Sequence, residues 1–228
     1  MDELGQKPLW RWFEMLNTAS RRFDEIKVDF AFTDLIYYEH ILTIYRGEDR
    51  YYHNLRHIEY MLKYIADFRS LSLDKTLSYK EKFLLKLAIW FHDIVYEPGS
   101  DMNEERSAQR AVAFAEALGV LPEDLETLKW LVLVTKHKGT PQTYAEEVIC
   151  DLDLRELADE EQYMENAILV REEFSMYSDE EWLEGRKNFL EFMLNKEQIY
   201  HTDLYLDTRE AQARYNLQKE LDTITQKL

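Results

Sequence analysis

Histidines and aspartates gather at three places in the chain: His53 with His57, the adjacent pair His92 and Asp93, and Asp151 with Asp153. Brought together, they would set two imidazoles and two carboxylates around one divalent ion. Such a mixed nitrogen and oxygen shell can activate water, so a metal-dependent hydrolytic site is expected. His53 and His57 are four residues apart, which on a helix puts both rings on one face. The same spacing also suits two capping or surface histidines. His92 and Asp93 sit between Trp90-Phe91 and Ile94-Val95, where desolvating an ionisable pair costs on the order of several kcal/mol unless something compensates. A bound cation would compensate, and so would a hydrogen bond between a core histidine and a nearby carboxylate. Asp151 and Asp153 follow Val148, Ile149 and Cys150, again setting acids against apolar neighbours. Either could be a ligand, an N-cap or a loop acid.

The elements that must position these groups read as helices, because the hydrophobic period is three to four and strand alternation is almost absent. Leu35, Ile36, Tyr38, Ile41, Leu42 and Tyr45 mark one helix, stopped at Gly47. A second is expected to carry His53 and His57. Ser78 and Glu81 form a capping-box pattern ahead of Phe83, Leu84, Leu87, Ala88 and Phe91, so a helix should run up to His92. Pro98 and Gly99 force a turn. Asn103 is the expected N-cap of a helix closed by Gly119, and Pro122 opens another that reaches about Lys136. An irregular stretch around Gly139 and Pro141 follows, with helical pattern resuming from about Glu160 to Met176. Ser178 and Glu181 repeat the capping box for a helix to about Asn195, and a last helix begins near Thr208. The expected architecture is all-α: a compact bundle over residues 1–228 in one domain, with a metal-site core at about 33–155 and further helices at about 159–226.

Composition narrows what such a site serves. At 228 residues, 46% of them hydrophobic, the chain can bury a substantial core. A net charge of -17 with no basic run disfavours long nucleic acids and anionic membrane surfaces. Cys150 is the sole cysteine, so no intrachain disulfide is expected. Met1 to Trp10 lack a signal-peptide pattern and no apolar run is long enough to span a bilayer, so a cytoplasmic location is expected. Trp10, Trp12, Phe13, Tyr37, Tyr38, Tyr51 and Tyr52 fit core and groove walls or, less simply, a nucleobase-stacking box. No Gly-rich phosphate loop, nucleophile elbow or Cys-rich metal pattern occurs.

The order His, then His-Asp, then a distant Asp on a helical chain resembles the HD-domain superfamily of predicted metal-dependent phosphohydrolases. The likeness extends from about Trp10 to Leu221, through Asn103, Glu104, Ser107, Ala108, Thr135, His137, Asp153-Leu154, Arg171, Phe174, Ala213, Arg214, Asn216 and Leu217. Tyr52-His53-Asn54 with His57 also resembles the motif of cyclic-nucleotide phosphodiesterases. That resemblance implies His53 as general acid and His57 as metal ligand, and its Asp-Leu dipeptide favours Asp153 over Asp151 as the last ligand. The chain is shorter than those enzymes and lacks a counterpart of their purine-clamping glutamine and aromatic pocket.

Together these readings give a shell of His57, His92, Asp93 and Asp153 for one or two ions of Mn, Fe, Co, Zn, Ni or Mg. Asp93 could bridge a second ion. Asp151, Glu104 and His137 are alternative or second-ion ligands, and Glu104 could instead orient the attacking water or simply favour a helix N-terminus. Arg56, Lys136, Arg171 and Arg214 are the candidate phosphate-binding cations, or else partners of surface acids. The expected substrate is a small phosphate ester, with nucleotides among the candidates. Two further readings are a di-iron oxygenase of HD type and a regulatory module that binds a metal or nucleotide without turnover.

Overall fold

The structure, a computed structural model, describes residues 32–69 and 76–227, with side chains for 38–68 and 76–227. The expectations for Met1 to Trp10, for Trp12 and Phe13, and for the side chains of Leu35, Ile36 and Tyr37 lie outside the described residues. Every regular element among those described is helical. In chain order they are α1 (Phe32–Tyr45), α2 (Leu55–Tyr64), α3 (Tyr79–Phe91), α4 (Asn103–Ala117), α5 (Pro122–Leu133), α6 (Tyr144–Leu154), α7 (Tyr163–Glu173), α8 (Asp179–Leu194), α9 (Asp203–Thr208) and α10 (Glu210–Thr225). Short 3-10 turns extend α2, α5 and α6 at their C-terminal ends.

Helix α3 is the hub. All its residues from Phe83 to Phe91 are buried, as expected of a helix that is apolar all round. Its start is set by the capping box of Ser78 and Glu81, in which each residue's side chain bonds the other's backbone. Helices α5 and α4 pack on it and on each other, while α2 and α6 cover another side. Ser178 and Glu181 cap α8 in the same manner. Helix α10 packs along α8 and against the turn that follows α6. None of the described helices is long and apolar enough to cross a membrane.

Three local expectations need correction. His53 is not on α2: Asn54 is the N-cap, its side chain accepting from the Arg56 N–H, so His53 lies one residue outside the helix. Asn103 is not an N-cap either. It is the first residue of α4, and its buried amide bonds both the N–H and the C=O of Glu97, tying down the loop after Asp93. Helix α6, which carries both Asp151 and Asp153, falls in the stretch expected to be irregular. Thr143 and Glu146 begin it, the threonine hydroxyl accepting from the Glu146 N–H, and Ala145, Val148, Ile149 and Leu152 are its buried stripe.

Several residues of the HD-like pattern hold the frame together. The Ser107 hydroxyl bonds both the N–H and the C=O of Val95. The Asn216 amide donates to the carbonyls of Leu157 and Asp159, fixing the end of the turn after α6.

Candidate metal centre

Four elements deliver the cluster: the N-terminal turn of α2 brings His57, the C-terminal end of α3 brings His92 and Asp93, the turn after α5 brings His137, and α6 brings Asp153. Asp153 is the hub. Its Oδ1 lies 3.1 Å from His57 Nε2 and 3.5 Å from His92 Nε2, and its Oδ2 lies 2.8 Å from His137 Nε2. Asp93 Oδ2 lies 3.0 Å from His92 Nε2 on the other side. His57, His92 and Asp153 form a group that could hold a metal ion.

The chemistry of His92 tests that fit. Its Nδ1 is 2.9 Å from the Ile89 carbonyl oxygen, which can only accept, so Nδ1 carries a proton. In the neutral ring Nε2 then presents a lone pair. That atom is fully buried, makes no hydrogen bond, and faces the carboxylates of Asp93 and Asp153. A buried lone pair aimed at two carboxylates needs a cation, either a proton or a metal ion. The two imidazoles and one carboxylate of His57, His92 and Asp153 could hold such a metal ion.

Further residues fix the orientation of the cluster's side chains. Glu156 accepts from Tyr52 Oη at 3.0 Å and from the Asn166 amide at 3.0 Å, and lies 3.4 Å from His57 Nδ1. This leaves His57 Nε2 for the centre. Arg50 donates to the carbonyls of His53, Asp93 and Ile94 and so staples the loop before α2 to the end of α3. His137 is held in the left-handed region, with φ 55°, where non-glycine residues are uncommon. Lys196 donates to its carbonyl.

His53 stands outside the shell. Its Nδ1 is 2.6 Å from Glu173 Oε2, and Glu173 Oε1 accepts from the N–H groups of Tyr52 and His53 at 2.7 and 2.8 Å. Its ring stacks on Tyr96 with centroids 4.2 Å apart. Burial pushes the Glu173 carboxyl up, but the His53 ring and these amides outweigh it and hold it below the ordinary range.

Asp151 does not join the cluster. Two positions along α6 turn it about 200° from Asp153. Its oxygens instead accept from the His201 N–H (2.7 Å), the Thr202 N–H (2.9 Å) and the Thr202 hydroxyl (2.5 Å), fixing the start of α9. Three of the four candidate phosphate cations are also placed elsewhere. Arg56 donates to Gln162, Arg171 to the Phe174 and Tyr177 carbonyls and to Asp179, and Arg214 to Glu210 and the carbonyls that end α8. None of the three lines the cavity beside the cluster. Lys136 does line it, yet its ammonium is bound to Glu105 at 2.5 Å and to the Asp101 carbonyl, and lies 3.8 Å from Glu104. Glu104 lines the same cavity, and burial raises its carboxyl above the ordinary range.

The cavity measures about 600 Å³. It is lined by His53, Asp93, His137 and Asp153 together with residues of α7 and α8. The helices expected to lie beyond the metal-site core thus help to line it, and supply Glu173.

Electrostatics of the metal-free cluster set a pH dependence. Burial lowers the affinity of the His57 ring for its proton, but Asp153 and Glu156 more than reverse this and take it from 6.5 to about 9. Asp93 and Asp153 are held well below the ordinary carboxylate range, where the neighbouring imidazoles outweigh burial. A histidine whose folded value exceeds its unfolded one contributes stability that is full below pH 6.5 and lost as pH rises through 9. Chelator-treated protein is therefore expected to lose on the order of 3 kcal/mol between those limits. A saturating divalent ion, which displaces the protons, removes that loss. Thermal melts across this range, with chelator and with metal, measure both effects; a melting temperature that is flat or rising with chelator contradicts the assignment.

The chain matches no protein-family model, no curated protein and no solved structure.

Proposed function

We propose that this chain is a metal-dependent phosphohydrolase of HD type, acting on a small phosphate ester, with nucleotides among its candidate substrates. The observation that carries the reading is the buried, unbonded Nε2 of His92 facing two carboxylates at the wall of an open cavity. His57, His92, Asp93 and Asp153 would hold the ion, with His137 beside Asp153 as a further ligand. A bound ion would supply a Lewis acid for the phosphoryl oxygens and an acidified water. Glu104, on the cavity wall, orients that water. His53 gives its Nε2 proton to the leaving oxygen, while Glu173 holds Nδ1 and stabilises the charged ring. The geometry supports this role, because Glu173 Oε2 lies 2.6 Å from Nδ1.

The test is reconstitution. Protein stripped with chelator and reloaded with Mn, Fe, Co, Zn, Ni or Mg in turn is assayed against a panel of phosphate monoesters and diesters. At least one ion is expected to restore turnover of at least one ester. A folded, metal-loaded protein that turns over none of them overturns the proposal. The third imidazole, His137 at 2.8 Å from Asp153, favours a second reading as a di-iron oxygenase. Oxygen consumption by the iron-loaded protein, with no ester hydrolysed, would favour that reading instead.

A further inference from the structure

We infer that the substrate is a single-phosphate ester whose organic group is flat and aromatic, and that this group lies over Gly185 between Trp182 and Phe189. The inference rests on the phosphohydrolase reading for its phosphate and on the far end of the cavity for the rest.

Three residues of α8 line that end at positions i-3, i and i+4: Trp182, Gly185 and Phe189. Residues at this spacing share one helical face. The middle position has no side chain, and a Cβ added there would meet nothing within 4 Å. Neither close packing nor a left-handed backbone explains a glycine inside a helix here, and glycine weakens a helix. Its missing side chain leaves an exposed, open stretch of helix face between the positions of the two rings, which we take as the notch. Both rings are held by neighbours: Phe174 and Arg186, which line the same cavity, and Arg171, which lies over the Trp182 ring at 5.5 Å. Trp182 packs on Phe174 with centroids 5.3 Å apart, and Phe189 lies under the Arg186 guanidinium at 4.9 Å. Arg186 is itself held by two bonds to Glu220, at 2.9 and 3.0 Å. Stacking on such pre-set aromatic walls suits any flat ring, because every one presents a π face.

Charge limits the rest of the molecule. Asp93, Asp101, Glu104, Asp153, Glu156 and Glu181 line the cavity, against three cations. Two of those, Lys136 and Arg186, are already paired with Glu105 and Glu220. A di- or triphosphate would bring further anionic groups to a wall that repels them. One phosphoryl group at the metal end and an uncharged ring at the other match this distribution.

Gly185→Leu tests the notch. Helix propensity rises and the space is open, so the variant is expected to melt at or above the wild-type temperature and to bind a divalent ion as the wild type does. Calorimetry on the metal-loaded protein compares the non-hydrolysable phosphonate analogues of adenosine monophosphate and 1-naphthyl phosphate with those of glycerol 3-phosphate and pyrophosphate. The aromatic analogues are expected to bind about tenfold or more tightly, and Gly185→Leu to abolish that margin. Equal affinities for all four ligands, or an aromatic preference that survives Gly185→Leu, overturns the inference. Notch-dependent binding of an aromatic ester that no metal-loaded protein hydrolyses would instead sink the phosphohydrolase reading and leave this one standing. Hydrolysis of glycerol 3-phosphate as fast as of aromatic esters, in wild type and variant alike, does the reverse.

Discussion

Asp153→Asn is expected to lower the affinity for a divalent ion by more than about 100-fold and to take the hydrolytic activity with it. The second-layer partners of a metal site are worth about 10–100-fold in affinity, and Asp153 is closer than that. One of its oxygens faces His57 and His92 and the other faces His137, so it is the single carboxylate shared by all three imidazoles. Asparagine keeps the shape, removes the negative charge and turns an amide donor toward nitrogens that must offer lone pairs to a cation. Asp151→Asn, two residues away on the same helix, separates ligand from scaffold. It disturbs the three donors at His201 and Thr202 and so lowers the melting temperature, but leaves metal affinity unchanged. Calorimetric titration with the ion, alongside thermal melts, distinguishes the two variants. Wild-type metal binding by folded Asp153→Asn would remove Asp153 from the shell, and loss of binding in Asp151→Asn without a lower melting temperature would restore Asp151 to it.

What the sequence discloses here divides by range. Helix starts set by local chemistry, at Ser78 and Ser178 and at Pro122, were legible because a capping box or an N1 proline acts within one turn. Fold class followed from the apolar period. His137 and Asp153 meet across 16 residues and His57 and Asp153 across 96, distances that no local pattern measures, so their partnership came from the HD-like motif order and not from spacing. Helix α6 was missed because Gly139 and Pro141 dominate the local reading, although Thr143 and Glu146 carry a start signal within it. The partners of the candidate cations were likewise beyond local pattern. A basic residue's role is decided by which acid or carbonyl the fold brings to it, and Arg171 and Arg214 serve helix ends. Glu173, 120 residues from His53, and Arg50, which ties two loops together, had no sequence signal of their own.

His53→Ala is expected to slow hydrolysis of alkyl phosphates by about 10²–10⁴-fold, with a much smaller loss for p-nitrophenyl phosphate. The difference between substrates identifies the role. An alkoxide is a poor leaving group and needs a proton as the P–O bond breaks, whereas p-nitrophenolate leaves without one. Metal binding is unaffected, because His53 Nδ1 is committed to Glu173 and the ring stacks on Tyr96. Glu173→Gln should reproduce the same leaving-group pattern at smaller amplitude, through kcat and not through KM. The amide still accepts from the Tyr52 and His53 N–H groups but no longer offers an ionised oxygen to Nδ1, so the ring keeps its place and loses its charged hydrogen-bond partner. An equal loss for alkyl and p-nitrophenyl esters in His53→Ala would mean that the ring positions substrate and does not protonate it. A Glu173→Gln enzyme with altered KM and unchanged kcat would assign the carboxylate to the cavity wall alone. The pair thus decides whether the proton donor at this site is one residue or a histidine made competent by a glutamate that the fold brings from the C-terminal helices.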